Sequence, residues 1–131
     1  MAEQRDRPHG NSNFVVEFGS GASRSGRTGF AEVVFAPFTI PESAAGRLVL
    51  RRGVTGALDL YAWWDQARRG KAPRRRAMSV KLLAEDHATV VWTWRFRNVR
   101  PVSLSYSPLR GVDGGILMET IELAYDDVEM A

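Results

Sequence analysis

At 131 residues the chain can hold one domain with a sizeable core and is too short for two. A content of 44% hydrophobic and 25% charged residues excludes wholesale disorder, and the absence of cysteine excludes disulfides, a thiol nucleophile, zinc–cysteine sites and iron–sulfur clusters. The net charge of +3 is unevenly spread, with nine Arg or Lys against Asp59 and Asp65 in 47–76 and six Asp or Glu without Arg or Lys in 111–131, a pattern suited to head-to-tail self-association.

Residues 1–12 are polar and predict a flexible N-terminal tail; they lack the apolar run of a secretory signal, and no segment is long and apolar enough to span a membrane, so cytoplasmic synthesis without a membrane anchor is expected. "NFVVEF" puts Phe14, Val16 and Phe18 on one side of a strand. The glycines and serines of Gly19–Gly29 predict a flexible loop. "FAEVVF" is a second strand closed by Pro37, and "RLVLRR" a third with Leu48 and Leu50 on one face. From Thr55, as N-cap, to Arg69 the period becomes helical: Leu60, Trp63, Trp64 and Ala67 fall at i, i+3, i+4 and i+7, with Gly70 as the stop. After the basic linker "KAPRRR", "AMSVKLL" predicts burial of Met78, Val80 and Leu82, and "EDHAT" a turn. "VVWTWRFR" sets Val90, Trp92, Trp94 and Phe96 against Val91, Thr93, Arg95 and Arg97. "NVRP" predicts an interruption before "VSLSYS" resumes as a strand. The last segment, "ILMETIELAYDDVEM", places Leu117, Glu119, Ile121 and Leu123 on one face; Ile116, Met118 and Thr120 on the other predict cover from both sides. The sum is six or seven antiparallel strands and one helix, a mainly β barrel or sandwich over residues 13–128 with a short tail at 129–131.

Chemistry is sparse in this pattern. His9 lies in the polar tail and His87 in the turn, without a local nucleophile and carboxylate. Asp126 and Asp127 are neighbours whose side chains diverge on a strand, so a solvated tail is expected in place of an acid–base pair. "GSGASRSG" lacks the G-K-[ST] ending of a phosphate loop. No enzyme, cofactor or metal site is expected. Arg68, Arg69, Lys71, Arg74, Arg75 and Arg76 support the alternative of a monomeric small-barrel nucleic-acid binder using residues 68–76. At helical spacing, Trp63 and Trp64 read better as anchors than as base-stacking platforms.

"NFVVEFG", "FAEVVF", "LVLRRGVTGALDLYAWWDQARRGK", "RRRAMSVKLLAEDHATVVWTWRFRNVRPVSLS" and "METIELAYDDVE" together resemble the tail tube protein family of contractile bacteriophages and related injection systems. The motifs are L-x-R-G at Leu50–Gly53, W-x-F-x-N-x-x-P at Trp94, Phe96, Asn98 and Pro101, and E-x-x-E-L at Glu119–Leu123. The resemblance implies two packed antiparallel sheets with one flanking helix, assembled into hexameric rings whose joined inner sheets line a lumen. Other tube, baseplate hub and sheath proteins would be partners, with DNA or protein cargo passing through, inside a phage tail or phage-tail-like particle. It also implies structural roles: Arg52 and Gly53 turn the strand toward the helix, Trp63 or Trp64 anchors the helix, Trp94 and Phe96 pack the barrel, Asn98 and Pro101 shape the following bend, and Glu119 and Glu122 are acidic positions of the last strand. Arg74, Arg75 and Arg76 would face a neighbouring subunit. Between Phe30 and Leu48 the chain reads as shorter than the family, which implies either a terminal or initiating ring next to the baseplate hub or a tube subunit whose contact surface is built differently.

Overall fold

Period-two burial runs through most of the described residues and sorts them into eight strands and one helix. The structure, a computed structural model, describes residues 9–19, 21–24, 29–40, 46–70 and 76–131, with 21–24 described by backbone alone. The elements are β1 (Phe14–Phe18), β2 (Gly21–Arg24), β3 (Glu32–Phe35), β4 (Gly46–Gly53), α1 (Asp59–Arg68), β5 (Arg76–Leu83), β6 (Val90–Tyr106), β7 (Met118–Tyr125) and β8 (Asp127–Met130).

All pairings are antiparallel, along the path β2-β1-β5-β6-β7-β4-β3, with β8 also on β6. The long β6 belongs to two layers. Its first half lies between β5 and β8, giving a five-stranded layer β2-β1-β5-β6-β8. Its second half pairs with β7, giving a four-stranded layer β6-β7-β4-β3. Val16, Met78, Val80 and Phe96 of the first layer meet Leu48, Leu50, Ile121 and Leu123 of the second in one core. Phe35 of β3 crosses between them, its ring 4.8 Å from Trp94 and 6.3 Å from Phe96.

Several sequence expectations are corrected. "NVRP" does not end a strand: β6 runs through it as a bent strand. Asn98 has φ 55, and between the pairs Met78–Phe96 and Arg76–Val99 two residues, Arg97 and Asn98, oppose the single Ala77. A second register shift falls between Pro101 and Ser103. Each bulge adds a residue and turns the strand, so β6 leaves one sheet for the other. The Gly/Ser stretch contains a strand, β2, because backbone pairing with an edge needs no side-chain pattern; Gly19, at φ 56, opens the reversal. The final segment is two strands. Ile116 lies before β7 and is exposed, and the outward Met118, Thr120 and Glu122 are only half-buried. Residues 129 and 130, expected as a tail, lie in β8, and beyond its end Ala131 exchanges both backbone hydrogen bonds with Thr93.

Burial along β6 is graded. Phe96 is fully buried, Trp94 half-buried and Trp92 exposed, so the expected packing role of Trp94 is shared with an open surface. In β5 a register shift at the end buries Leu83 and leaves Leu82 half-buried, the reverse of the period-two expectation. The "EDHAT" turn forms with His87 at φ 60. Asp86 accepts hydrogen bonds from the Thr89 hydroxyl and from the Thr89 and Ala88 N–H groups, which lower its pKa to about 2.

Phe96→Ala is expected to cost about 3–5 kcal/mol in urea denaturation of the monomer, and Trp92→Ala under about 1 kcal/mol, because only Phe96 leaves a closed cavity. Equal losses would mean that the first half of β6 is covered evenly.

Candidate assembly surfaces

The alternation that buries Leu48 and Leu50 also buries Arg52, at 6% exposure. A guanidinium cannot enter a core unpaired. Arg52 Nε donates to Glu119 Oε1 at 2.5 Å, and Glu119 is itself 5% exposed. Nη1 donates to Asp59 Oδ2 at 3.2 Å, and the other terminal nitrogen bonds Asp59 Oδ1. The Phe30 ring centroid lies 5.5 Å from the guanidinium carbon. Burial alone would lower the Arg52 pKa, but the hydrogen bonds to Asp59 and Glu119 outweigh it and hold it above its ordinary value. Burial would likewise raise Asp59, yet the Arg52 hydrogen bond and charge keep it below the usual carboxylate value.

This network corrects the helix start. α1 begins at Asp59, after Leu58, without a side-chain cap, and Thr55 lies outside it. Asp59 occupies the first turn, where an acid suits the helix dipole, and Arg52 fixes it there. Gly53 pairs with Met118 as the last residue of β4, while the left-handed backbone of the connection falls on Gly56, at φ 108.

Of the two tryptophans Trp63 is buried. Its ring stands edge-on to Phe18 with centroids 5.6 Å apart, and the Arg76 guanidinium covers it at 4.7 Å. Trp64 is half-buried beside Tyr61, under Arg68 at 4.9 Å. Asp65 accepts from Arg68 at 2.5 Å and Arg69 at 3.0 Å. Arg68, Arg69 and Arg76 are thus engaged within the chain, which weakens the case for a phosphate-gripping patch. Lys71, Arg74 and Arg75 lie outside the described residues.

Asp126, expected to be a solvated tail residue, pins the corner where β6 changes sheets. Its carboxylate accepts from Asn98 Nδ2 at 3.1 Å and Arg100 Nη1 at 2.8 Å, and its N–H donates to the Arg97 carbonyl at 3.0 Å. Arg100 Nη1 also donates to the Asn98 carbonyl. Asn98 and Pro101 therefore flank a bend held by an acid from the β7–β8 junction. Asp127 faces Arg97 at 3.9 Å, and Glu122 lies on the outward face with Ser103 within 3.5 Å.

Both edges of the four-stranded layer are unpaired among the described residues: β3 on one side and Pro101–Tyr106 of β6 on the other. A groove of about 820 Å³ runs along β3, lined by Phe14, Val33, Phe35, Val80, Leu82 and Trp94. At the opposite edge Tyr106 is 51% exposed. Partial desolvation and then the charge of Glu119 push its phenol pKa above the ordinary value. Sequence reasoning missed Asp126, Phe30 and Tyr106, whose partners lie across the sheets.

A sequence profile of the family described as T4-like virus tail tube protein gp19 matches residues 12–129. No curated protein matches the sequence. Among solved structures the fold is similar to a chain of the extended-state sheath–tube complex of an extracellular contractile injection system, PVC (TM-score 0.76, 17% identity, 100% of this chain and 97% of that one). It is also similar to a chain of the anti-feeding prophage tube terminating cap (TM-score 0.75, 20% identity, 100% and 99%). Hcp1 from Flavobacterium johnsoniae is a third relative in fold (TM-score 0.61, 15% identity, 91% and 94%). The first two alignments span nearly all of both chains, which leaves little room for a long additional segment in those relatives. The expected shortening of residues 30–48 is therefore not seen against these two relatives.

Arg52→Met should cost about 3–5 kcal/mol near neutral pH in chemical denaturation, because Glu119 is left buried without its partner, and an added Glu119→Leu should recover most of that loss. Asp59 has a folded pKa below its ordinary value of 3.8, so its contribution is present above that range and lost as pH falls through the folded pKa. Asp59→Asn should therefore flatten the stability difference between about pH 6 and about pH 3; an unchanged profile would remove Asp59 from the network.

Proposed function

The chain belongs to the T4-like virus tail tube protein family, and on that premise we propose that it is a structural, non-catalytic subunit of the inner tube of a contractile phage tail or phage-tail-like injection system. Copies join head to tail into a closed ring around a lumen, six to a ring as the family resemblance implies, with sheath, baseplate hub and further tube proteins as partners and DNA or protein as cargo. The particle is the site of action, after synthesis in the cytoplasm.

One observation carries this reading: among the described residues the four-stranded layer ends in two unpaired edges that run in opposite directions. Across β6, β7, β4 and β3 every pairing is antiparallel, so the first and last strands oppose each other. Rotating a second copy about an axis roughly along the strands brings its β6 beside β3 of the first in the antiparallel sense. An even strand number preserves alternation around any such ring. The five-stranded layer cannot do this, since β2 and β8 run in the same direction. Closure also removes exposed sheet edges, which otherwise invite uncontrolled aggregation. A non-catalytic role is supported by the state of Glu119, a buried carboxylate committed to Arg52.

Light scattering on the purified protein should give an assembly near six times the 14.6 kDa chain mass, and negative-stain images should show rings or stacked rings. A protein that stays monomeric at high concentration and retains DNA through residues 68–76 would favour the nucleic-acid alternative.

A further inference from the structure

We infer that the bare face of the four-stranded layer takes polypeptide cargo in preference to nucleic acid, because its arginines and carboxylates cancel among hydroxyls and short aliphatic side chains. The inference rests on the ring reading above and names the class of cargo that this face accepts.

Ring closure decides which way the face points. The five-stranded layer packs against the inward face of the four-stranded one, and whichever layer lies outside needs the larger circumference. The opposite face, where Arg47, Ser103 and Ser105 are exposed, therefore turns to the axis. Six four-stranded layers at about 4.8 Å per strand give a wall about 115 Å round, wide enough for an extended chain or a helix of about 10–12 Å diameter.

The register orders the charges on this face. One outward rung reads Ser105–Thr120–Arg51–Glu32, the next Ser103–Glu122–Val49–Val34, and the third Arg100–Ala124–Arg47. Arg51 meets Glu32 at 3.3 Å, so the first rung is neutral. The second holds a single carboxylate, Glu122. On the third, Asp126 holds Arg100 at 2.8 Å, which leaves the positive charge of Arg47. Neighbouring outward rungs are two residues apart, about 7 Å along a strand and within a Debye length of about 8 Å. The opposite charges of Glu122 and Arg47 thus cancel on the scale of a cargo chain, and among the described residues these rungs with Asp126 have no net charge.

Nucleic acid gains little from such a wall. Affinity for a phosphate backbone comes from uncompensated Arg and Lys, whose contacts release counterions. Here Arg51 and Arg100 are already held by carboxylates, and Arg47 is balanced one rung away. A polypeptide of mixed charge asks for different contacts. Ser103, Ser105 and Thr120 have hydroxyls that both donate and accept, and Val34 and Val49 add aliphatic surface beside them. Contacts of this kind are individually weak and tolerate many residue orders. They suit a cargo that must be held and then released.

The lack of native cysteine allows one fluorophore to be placed on either face: Thr120→Cys in the middle of the bare face, and Arg95→Cys on the exposed outer face of the five-stranded layer. The probes are an unstructured polypeptide of serine, alanine, valine, lysine and glutamate with no net charge, and a single-stranded oligonucleotide of equal contour length. Both carry the same nitroxide, which quenches on contact. On assemblies verified by light scattering, the polypeptide should quench Thr120→Cys at least fivefold more than Arg95→Cys, and the oligonucleotide should quench Thr120→Cys at least tenfold less than the polypeptide. Val49→Cys should repeat the Thr120→Cys result from a second strand. Adding Glu122→Lys, which leaves the bare face with surplus positive charge, should raise oligonucleotide quenching at least tenfold at low salt. Equal or stronger quenching by the oligonucleotide without that change would overturn the polypeptide assignment and make nucleic acid the cargo. Assemblies in which neither probe reaches Thr120→Cys, or in which Arg95→Cys is quenched as strongly, would overturn the cargo role of this face and leave the ring reading standing. A monomer by light scattering would overturn both.

Discussion

A buried cation sets the geometry on which the rest of this domain depends. Arg52 follows Leu48 and Leu50 on the inward face of β4, and it can stay there only with an anion on either side. Glu119 supplies one from the adjacent strand and fixes the β4–β7 register at that rung. Asp59 supplies the other and determines where the helix begins. Once α1 is held at that point, Trp63 falls over Phe18 and under Arg76. The flank of the sandwich is thus closed by an aromatic side chain whose position follows from a salt bridge.

The second constraint is the double bulge in β6. A straight strand of that length would extend one sheet far beyond its partner. Two inserted residues, with Asn98 in the left-handed region, let the same strand serve both layers, and Asp126 ties the bend to the β7–β8 junction. The division of β6 makes one layer odd and the other even in strand number. Only the even layer can be continued antiparallel by rotation. A local backbone feature therefore decides which layer ends in oppositely directed edges.

Much of the polar chemistry is internal and structural. Arg68 and Arg69 hold Asp65, Arg97 meets Glu129, Lys81 meets Glu17, and Arg51 meets Glu32. Surface pairs of this kind contribute little to stability each, but they neutralise the sheet faces and leave the apolar edges as the surfaces with most to gain from contact. A family of tube proteins is a natural home for such a domain, because repeated copies can cover edges that a monomer leaves open.

Local pattern was enough to read most elements. Period two in "FVVEF", "LVLRR" and "METIEL" placed β1, β4 and β7, period 3.6 placed the helix, and the ordered motifs from L-x-R-G to E-x-x-E-L carried the family. These signals survive in one dimension because burial repeats along a strand or helix whatever lies opposite. The start of α1, the burial of Trp63 over Trp64, the partial exposure of Trp94 and the role of Asp126 needed tertiary contacts. β2 was invisible because an edge strand takes its order from its neighbour's backbone, and β6 seemed broken at "NVRP" because a bulge and a strand end share the same residue types. The sequence by itself determined which residues alternate; the folded structure decided which partners they meet, since the partners of Arg52, Asn98 and Phe35 are separated from them along the chain and brought near only when the two sheets pack.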